Sequence, residues 1–577
     1  MLAFILAPTL NYFPQNPIKS SGNQASDGLL TGKVDEIFSQ WDTPNSPGCA
    51  LAIVKDGRII YERGYGMASL ENNIPITPKS VFDIASTSKQ FTAMAVLLLS
   101  QQRKLSLDDD VRKHVPELPD VGSPITIRQL IYHTNGLRDS YYMLELAGWR
   151  YDDEIREEDI LALITRTKEL NHKSGEEHSY TNAGYSLLAL VIKRASGQSL
   201  RDYAETNIFK PLGMLNTQFR DDHTVVVKDR TLSYDLSNDR GFSLSIGAVD
   251  TVGPNGVFTT VEDFARWNQN FYEKKVGGEA GLKEMMTPGT LNDGTKISYA
   301  FGLRVENYKG LRMVWHSGAG VGTRTTYLLF PDHQFSVILF CNLTSMNMDA
   351  LARQVADLYL ANQFEQAQES GRTTAAQQAN PVKVSESALS KVAGLYFSSD
   401  YGLARRIYVK NGKLFYLRSA DNESELSPLG HDRFLMTGAP GRTEIAFKMA
   451  QSALPQQMLL ISNDGKPTVF DSVEPASYAP ERLTELTGNY YSEELDATYT
   501  LVVWKGELVL RRKKWTDIKL KAVFTDAFKD DYLGVIKFIR DPRKHIKGFT
   551  LSNGNRGVRR LRFSKQTRYV VGSRRLL

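Results

Sequence analysis

Ser86-Thr87-Ser88-Lys89-Gln90-Phe91-Thr92-Ala93-Met94-Ala95-Val96-Leu97-Leu98-Leu99 is the stretch on which the reading of this chain turns. Beyond Lys89 the segment is apolar almost all round, which predicts a buried helix. Residues three apart share a helix face, so Ser86 and Lys89 stand one turn apart at its head. A serine in such a place is commonly an N-cap. The lysine is harder to dismiss, because burial disfavours its charge and lowers its pKa. A neutral or proton-sharing lysine beside a serine hydroxyl is what activation of a nucleophile requires.

Such a pair also needs a group that carries a proton to the leaving atom and donors for an oxyanion. Tyr180-Thr181-Asn182 precedes a second amphipathic helix, Tyr185 to Ile192. A tyrosine whose pKa is lowered by a nearby lysine serves as base and then acid, and Asn182 can hold a substrate amide. The structural alternative is a turn residue followed by a cap. His316-Ser317-Gly318-Ala319 ends a strand pattern, and Gly318 there would allow a substrate to approach the backbone closely. Its alternative is a strand that ends in a Gly-rich bulge. Ser86–Lys89 is the only S-x-x-K, Tyr180–Asn182 the only Y-x-N among 26 tyrosines, and His316–Gly318 the only H-x-G among the nine histidines.

With these three motifs in this order the chain resembles the serine β-lactamase and penicillin-binding superfamily. The closer likeness is to its class C β-lactamase, DD-carboxypeptidase, D-aminopeptidase and esterase branch, over roughly residues 30–360. Leu130-Ile131-Tyr132-His133-Thr134-Asn135-Gly136-Leu137 is similar to that branch's LLxHTSGL, and Ser179 to Leu188 to its YSNxGYxLL. Pro211-Leu212-Gly213-Met214 and Asn255 to Asp263 match further landmarks. The resemblance implies a metal-independent, cofactor-free hydrolase that forms an acyl-enzyme on Ser86, with Lys89 and Tyr180 managing the proton. It also implies an oxyanion hole from the backbone N–H groups of Ser86 and Ala319, with Asn182 and His316 orienting a small-molecule or peptide substrate. Many β-lactamases carry lysine where this chain has His316. A mostly neutral histidine favours D-amino-acid peptides, amides or small esters over β-lactams. Arg324 is a candidate for the missing positive charge, which keeps DD-carboxypeptidase activity open. A non-catalytic relative that binds cell-wall fragments would usually have lost Ser86, Lys89 or Tyr180, and all three are present.

Outward from this centre, Cys49–Lys55 and Arg58–Tyr61 read as strands joined by Asp56-Gly57. Strand patterns return at 301–305, 313–315, 325–330 and 336–340, with helical patterns between. The fold class expected is therefore α/β: an antiparallel sheet shared by the two ends of a domain over 29–362, with flanking helices and a helical region. Residues 1–28 read as a leader or disordered lead-in, with helix from Thr31 to Trp41, and 363–388 read as a linker. Beyond it Leu389, Gly394, Tyr396, Ile407, Val409, Gly412 and Leu414 recur 94 residues later as Leu483, Gly488, Tyr490, Leu501, Val503, Gly506 and Leu508. A constant offset marks an internal repeat. It predicts all-β, barrel-like units at 389–480 and 481–577, or two halves of one larger barrel.

Composition excludes some classes. A net charge of +5 over 577 residues is small, and the lysines and arginines after Arg511 alternate with strand-like apolar residues. They read as a solvated face, with no nucleic acid partner. Cys49 and Cys341 read as two buried small apolar residues, without a disulfide framework or metal motif. Gly318-x-Gly320-x-Gly322 precedes a strand pattern instead of a helix and so fails as a nucleotide loop, and the His172–His178 spacing fits no zinc motif. No segment is apolar for long enough to span a membrane. Leu2–Leu10, interrupted by Pro8, reads as the remnant of a signal sequence. The expected location is periplasmic or secreted, with the cytoplasm as alternative.

Overall fold

The computed structural model describes residues 24–372 apart from 238, and 384–566 apart from 420–421, 439–441, 450–454 and 463–466. Most of the expected leader, and positions 373–383 of the expected linker, lie outside the described residues. The first helix, α1 (Gln24–Phe38), starts earlier than its apolar face suggested, and buries Val34 and Phe38. The chain then forms β1 (Cys49–Lys55) and β2 (Arg58–Tyr65), and returns to the same sheet near the end of the domain. The returning strands are β3 (Arg304–Tyr308), β4 (Leu311–Ala319), β5 (Arg324–Phe330) and β6 (Phe335–Cys341), in the spatial order β3-β4-β5-β6-β1-β2. All pairings are antiparallel.

Central strands β1 and β6 are buried along nearly their whole length, because helices cover both faces. On one face lie α1 and the long helix after β6, which runs from Met348 to Arg372, past the expected boundary at 362. On the other lies the helical region built around α2 (Lys89–Gln101) and α4 (Asn182–Ser196), with α3 (Ser140–Leu146) between them in sequence. The α2 segment is apolar over most of its surface because most of it is buried: Phe91, Ala93, Met94, Ala95, Val96 and Leu99 are fully enclosed.

The cysteines overturn a sequence expectation. Cys49 and Cys341 are buried, as expected, but they form a disulfide. The register of β1 against β6 sets Cys49 opposite Cys341, with Cα atoms 4.0 Å apart. The bridge joins positions 292 residues apart, a pairing that only the register reveals.

The repeat is two barrels. Eight antiparallel strands from Gly394–Ser398 to Thr468–Val473 close on themselves, with Leu395 opposite Val473. Eight more from Gly488–Ser492 to Val558–Lys565 close with Tyr490 opposite Lys565. Asn411-Gly412 and Lys505-Gly506 turn matching hairpins, each with both residues at positive φ, as a type I′ turn requires. The first barrel has its own apolar core, whereas that of the second is continuous with the core of the helical region.

Candidate active site

Ser86 lies in a single 3-10 turn, Ala85–Ser88, that feeds α2. Ala85 has φ 47, unusual for a residue with a side chain, and its N–H donates to Asp83 Oδ1 at 2.8 Å. Such strain persists only where the surroundings enforce it. Here β4 presses on the turn. A Cβ on Gly318 would stand 2.4 Å from the Ile84 carbonyl oxygen and 2.3 Å from Thr325 Oγ1. The close approach that Gly318 permits is therefore that of the serine's own turn, in place of the substrate approach expected from sequence. Thr87 and Ser88 are fully buried while Ser86 stays partly open, and its side chain caps no helix.

Lys89 Nζ has three neighbours: Ser86 Oγ at 3.1 Å, Asn182 Oδ1 at 2.9 Å and the Pro254 carbonyl at 2.9 Å. Burial pulls its pKa down to about 7, opposed by the charge of Asp139. Two of the neighbours are pure acceptors. A neutral amine gives them its two hydrogens, and its lone pair is left facing the Ser86 hydroxyl. That is the arrangement of a base poised to take the serine proton.

Tyr180 stands on the other side, its ring centroid 4.9 Å from Lys89 Nζ. The sequence reading expected its phenol to be lowered by the lysine. Burial instead raises it, and the Ser86 hydroxyl offsets only part of the rise. The phenol is thus held in its protonated form, which leaves Lys89 as the candidate base. Behind Tyr180 stands His133, its ring centroid 4.3 Å away and its Nδ1 accepting from the Thr181 N–H at 3.3 Å. Burial holds His133 well below the usual histidine range.

His316 is placed differently from the substrate contact expected of it. Nδ1 faces the Ser317 carbonyl at 2.6 Å and must carry the proton, so Nε2 accepts from the Tyr299 hydroxyl at 3.0 Å. Both nitrogens are engaged, and burial, helped by Lys89 and Arg304, lowers the pKa to about 3. The ring is a neutral strut behind the site. Asn182, by contrast, joins the base to Asp139: its N–H and Nδ2 both donate to Asp139 Oδ2, at 2.7 and 2.9 Å.

A cleft of about 400 Å³ opens over Ser86, and Asn182, Ala319 and Arg324 line it. Lys89, Tyr180, His316 and Gly318 are not among the residues that line it. Arg324 is anchored by donating to the Gly320 and Thr323 carbonyls. Sequence reasoning missed four charged lining residues, Asp83, Arg220, Arg230 and Asp235. Only the position of Asp83, three residues before the serine, hinted at any of them. Elsewhere, Glu154, His223 and Asp250 bring ligand-type atoms within 4.8 Å of one another, but Arg156 already pairs with Glu154 and His223 with Asp250.

The beta-lactamase family model matches residues 34–361. The chain is 27% identical over 465 residues to a D-aminopeptidase of Gluconobacter oxydans, covering 80% of this chain and 83% of that protein. It is 28% identical over 423 residues to penicillin-binding protein 4* of Bacillus subtilis, covering 70% and 91%. The octameric penicillin-binding protein homologue from Pyrococcus abyssi superposes with a TM-score of 0.53 at 23% identity, over 77% of this chain and 99% of that one, a likeness of fold. With the family match spanning more than half of its length, this chain belongs to the beta-lactamase family, as a serine hydrolase of the beta-lactamase and penicillin-binding type.

Proposed function

We propose that the protein hydrolyses D-amino-acid peptides or amides through an acyl-enzyme on Ser86. Ser86 Oγ attacks the carbonyl carbon while Lys89 Nζ takes the hydroxyl proton. The Tyr180 phenol, beside Lys89, passes its proton to the departing nitrogen. Water then attacks the ester, and its proton returns along the same groups. Developing negative charge on the carbonyl oxygen falls to the backbone N–H groups of Ser86 and Ala319. The observation that carries this reading is the Lys89 amine, with two acceptors for its hydrogens and the serine 3.1 Å away.

The substrate class rests on the D-aminopeptidase relatives and on the cleft. His316, neutral and fully engaged, offers no cation to a β-lactam carboxylate. Asp83 and Asp235 beside Arg220, Arg230 and Arg324 suit a substrate bearing both an ammonium and a carboxylate. The three arginines favour DD-carboxypeptidase activity as the second reading. The buried Cys49–Cys341 bridge supports a periplasmic or secreted location, since such bridges persist in oxidising compartments. Among the described residues no helix is long and apolar enough to cross a membrane.

Intact-mass labelling with a fluorophosphonate and a penicillin tests the nucleophile. An adduct is expected on the unaltered protein and none on Ser86→Ala; no adduct on a folded unaltered protein would sink the reading. A panel of D- and L-amino-acid p-nitroanilides, short esters, D-alanyl-D-alanine peptides and nitrocefin then sorts the substrates, with the D-anilides expected to turn over fastest.

A further inference from the structure

We propose that Asp139 is a positioning residue for the Ser86–Lys89 pair, and that the Gly554–Gly557 turn of the second barrel holds it in place. The inference rests on Ser86 and Lys89 being the catalytic pair.

Asp139 is 8% exposed, and its carboxylate faces two ways. Oδ1 accepts from the Tyr142 N–H at 2.9 Å, the ordinary work of a helix cap at the start of α3. Oδ2 does something that a cap does not require. It accepts both the backbone N–H and the side-chain amide of Asn182, whose remaining oxygen accepts from Lys89. With Nδ2 tied to an anion, the Asn182 amide can present only its oxygen to the lysine. The carboxylate thereby orients the amide that orients the base, and it is also the one charge that raises the Lys89 pKa against burial.

What fixes Asp139 belongs to another part of the chain. Its N–H donates at 3.0 Å to the carbonyl of Gly557, which ends the turn between the last two strands of the second barrel. Asn171 Nδ2 donates to the same carbonyl at 2.9 Å. Gly557 has φ 69, and a Cβ there would come within 3.2 Å of Asp139 Cβ and 3.3 Å of Thr181 Cγ2. The turn therefore touches the two segments that bear Asp139 and Asn182 at once. The residues around it are clamped as well: Arg556 lies 4.0 Å over the Tyr142 ring and pairs with Glu145, and Arg138 Nε donates to the Arg559 carbonyl. Of the residues that line the cleft, none belongs to either barrel. The barrel thus reaches the chemistry from behind, through Asp139.

The test follows the rate of fluorophosphonate labelling of Ser86 in the full-length protein from pH 5 to 9, beside its thermal midpoint. The groups facing Lys89 are Asp139, Asn182, the Tyr180 and Tyr185 phenols, and the neutral rings of His133 and His316, so Asp139 is the anion among them. Asp139→Ser keeps a cap for α3 but removes the charge and the hold on Asn182. Its plateau rate should fall roughly tenfold or more, and the acid limb, set by Lys89, should move down by about one pH unit. Mere loss of folded protein would lower the plateau and leave the limb where it was. Gly557→Val should cut the plateau by about tenfold, and the milder Gly557→Ala by less. If folded Asp139→Ser labels within twofold of the unaltered protein with an unmoved limb, the positioning role is wrong. If folded Gly557→Val and Gly557→Ala both label normally, the barrel's part is wrong. An unaltered protein that takes no label overturns the nucleophile reading beneath; a labelled one with indifferent variants overturns this inference alone.

Discussion

Tyr396 in the first barrel and Tyr490 in the second make the same hydrogen bond, each hydroxyl donating at 2.8 Å to the carbonyl four residues earlier, that of Val392 or Leu486. Eleven residues before the hairpin turns that also match, the copies part. Asp400 is 76% exposed, and its nearest cationic partner, Arg560, is 3.9 Å away. Its counterpart Glu494 is 5% exposed and pairs at 2.8 Å with Arg138, itself 2% exposed, in the catalytic domain. Duplication has kept what closes a barrel and changed what the barrel touches. One copy is packed into the catalytic domain's core. The other leans mainly on its twin, through Phe397 and Ala404 against Val523 and Phe524.

Breaking the contrast at these matched positions should give the largest effect. Glu494→Gln takes from the buried Arg138 guanidinium its nearer anion and leaves only the partly exposed Glu169 at 3.6 Å, at a cost of up to about 3–5 kcal/mol. Asp400→Asn removes an exposed charge and should cost less than about 0.5 kcal/mol. The six tryptophans are at 41, 149, 267, 315, 504 and 515, all outside the first barrel. Urea unfolding followed by tryptophan fluorescence therefore reports the catalytic domain and the second barrel. Equal, small shifts for the two variants would erase the distinction between the barrels.

The disulfide sharpens it next. Replacing Cys49 and Cys341 together by alanine opens a closed loop of 292 residues, at a cost of about 2–4 kcal/mol. The loss should appear in the tryptophan-detected transition, while amide exchange in the first barrel stays as it was. Acid comes third. The folded-state pKa of His316 is about 3, against an ordinary value of 6.5, so as pH falls the unfolded chain takes up its proton first. Stability is then lost from about pH 6.5 down to about 3, by about 2 kcal/mol from this residue at pH 5. The first barrel's one histidine, His431, is exposed. Urea midpoints at pH 7 and pH 5 check the point: the fluorescence transition should weaken, and less so in His316→Gln.

Much of this was legible from residue patterns because the signals are local. Ser86 and Lys89 sit one turn apart on a helix whose apolar residues demand burial, and burial alone accounts for the shifted lysine. The barrels announced themselves through a fixed 94-residue offset and two positive-φ turns. What stayed hidden depends on distant partners. The Cys49–Cys341 bridge needs the β1–β6 register. His316 looked like a ligand for substrate until Tyr299 and the Ser317 carbonyl claimed its two nitrogens. Gly318 looked like room for a substrate, and that room is filled by the Ile84 carbonyl. Asp139 carried no signal in the sequence, since nothing within a few residues of it suggests that Asn182 and Gly557 converge there.

The smallest effect tests the likeness instead of the difference. Tyr396→Phe and Tyr490→Phe each remove one buried hydroxyl and keep the ring, so each should cost about 1 kcal/mol, the net worth of a hydrogen bond. The rings sit in comparable company, Tyr396 against Phe447 and Tyr490 against Phe538 and Phe549. Phenylalanine preserves those contacts, so the difference between the two costs isolates the bond to the preceding carbonyl. Amide exchange of the strands Gly394–Ser398 and Gly488–Ser492 gives both numbers in one experiment. If the two agree to within about 0.5 kcal/mol, this tether is a property of the barrel and indifferent to what the barrel leans on. A much larger cost at Tyr490 would mean that contact with the catalytic domain has been built into the closure of the second barrel, and that its divergence reaches beyond the Glu494 loop and the Gly557 turn.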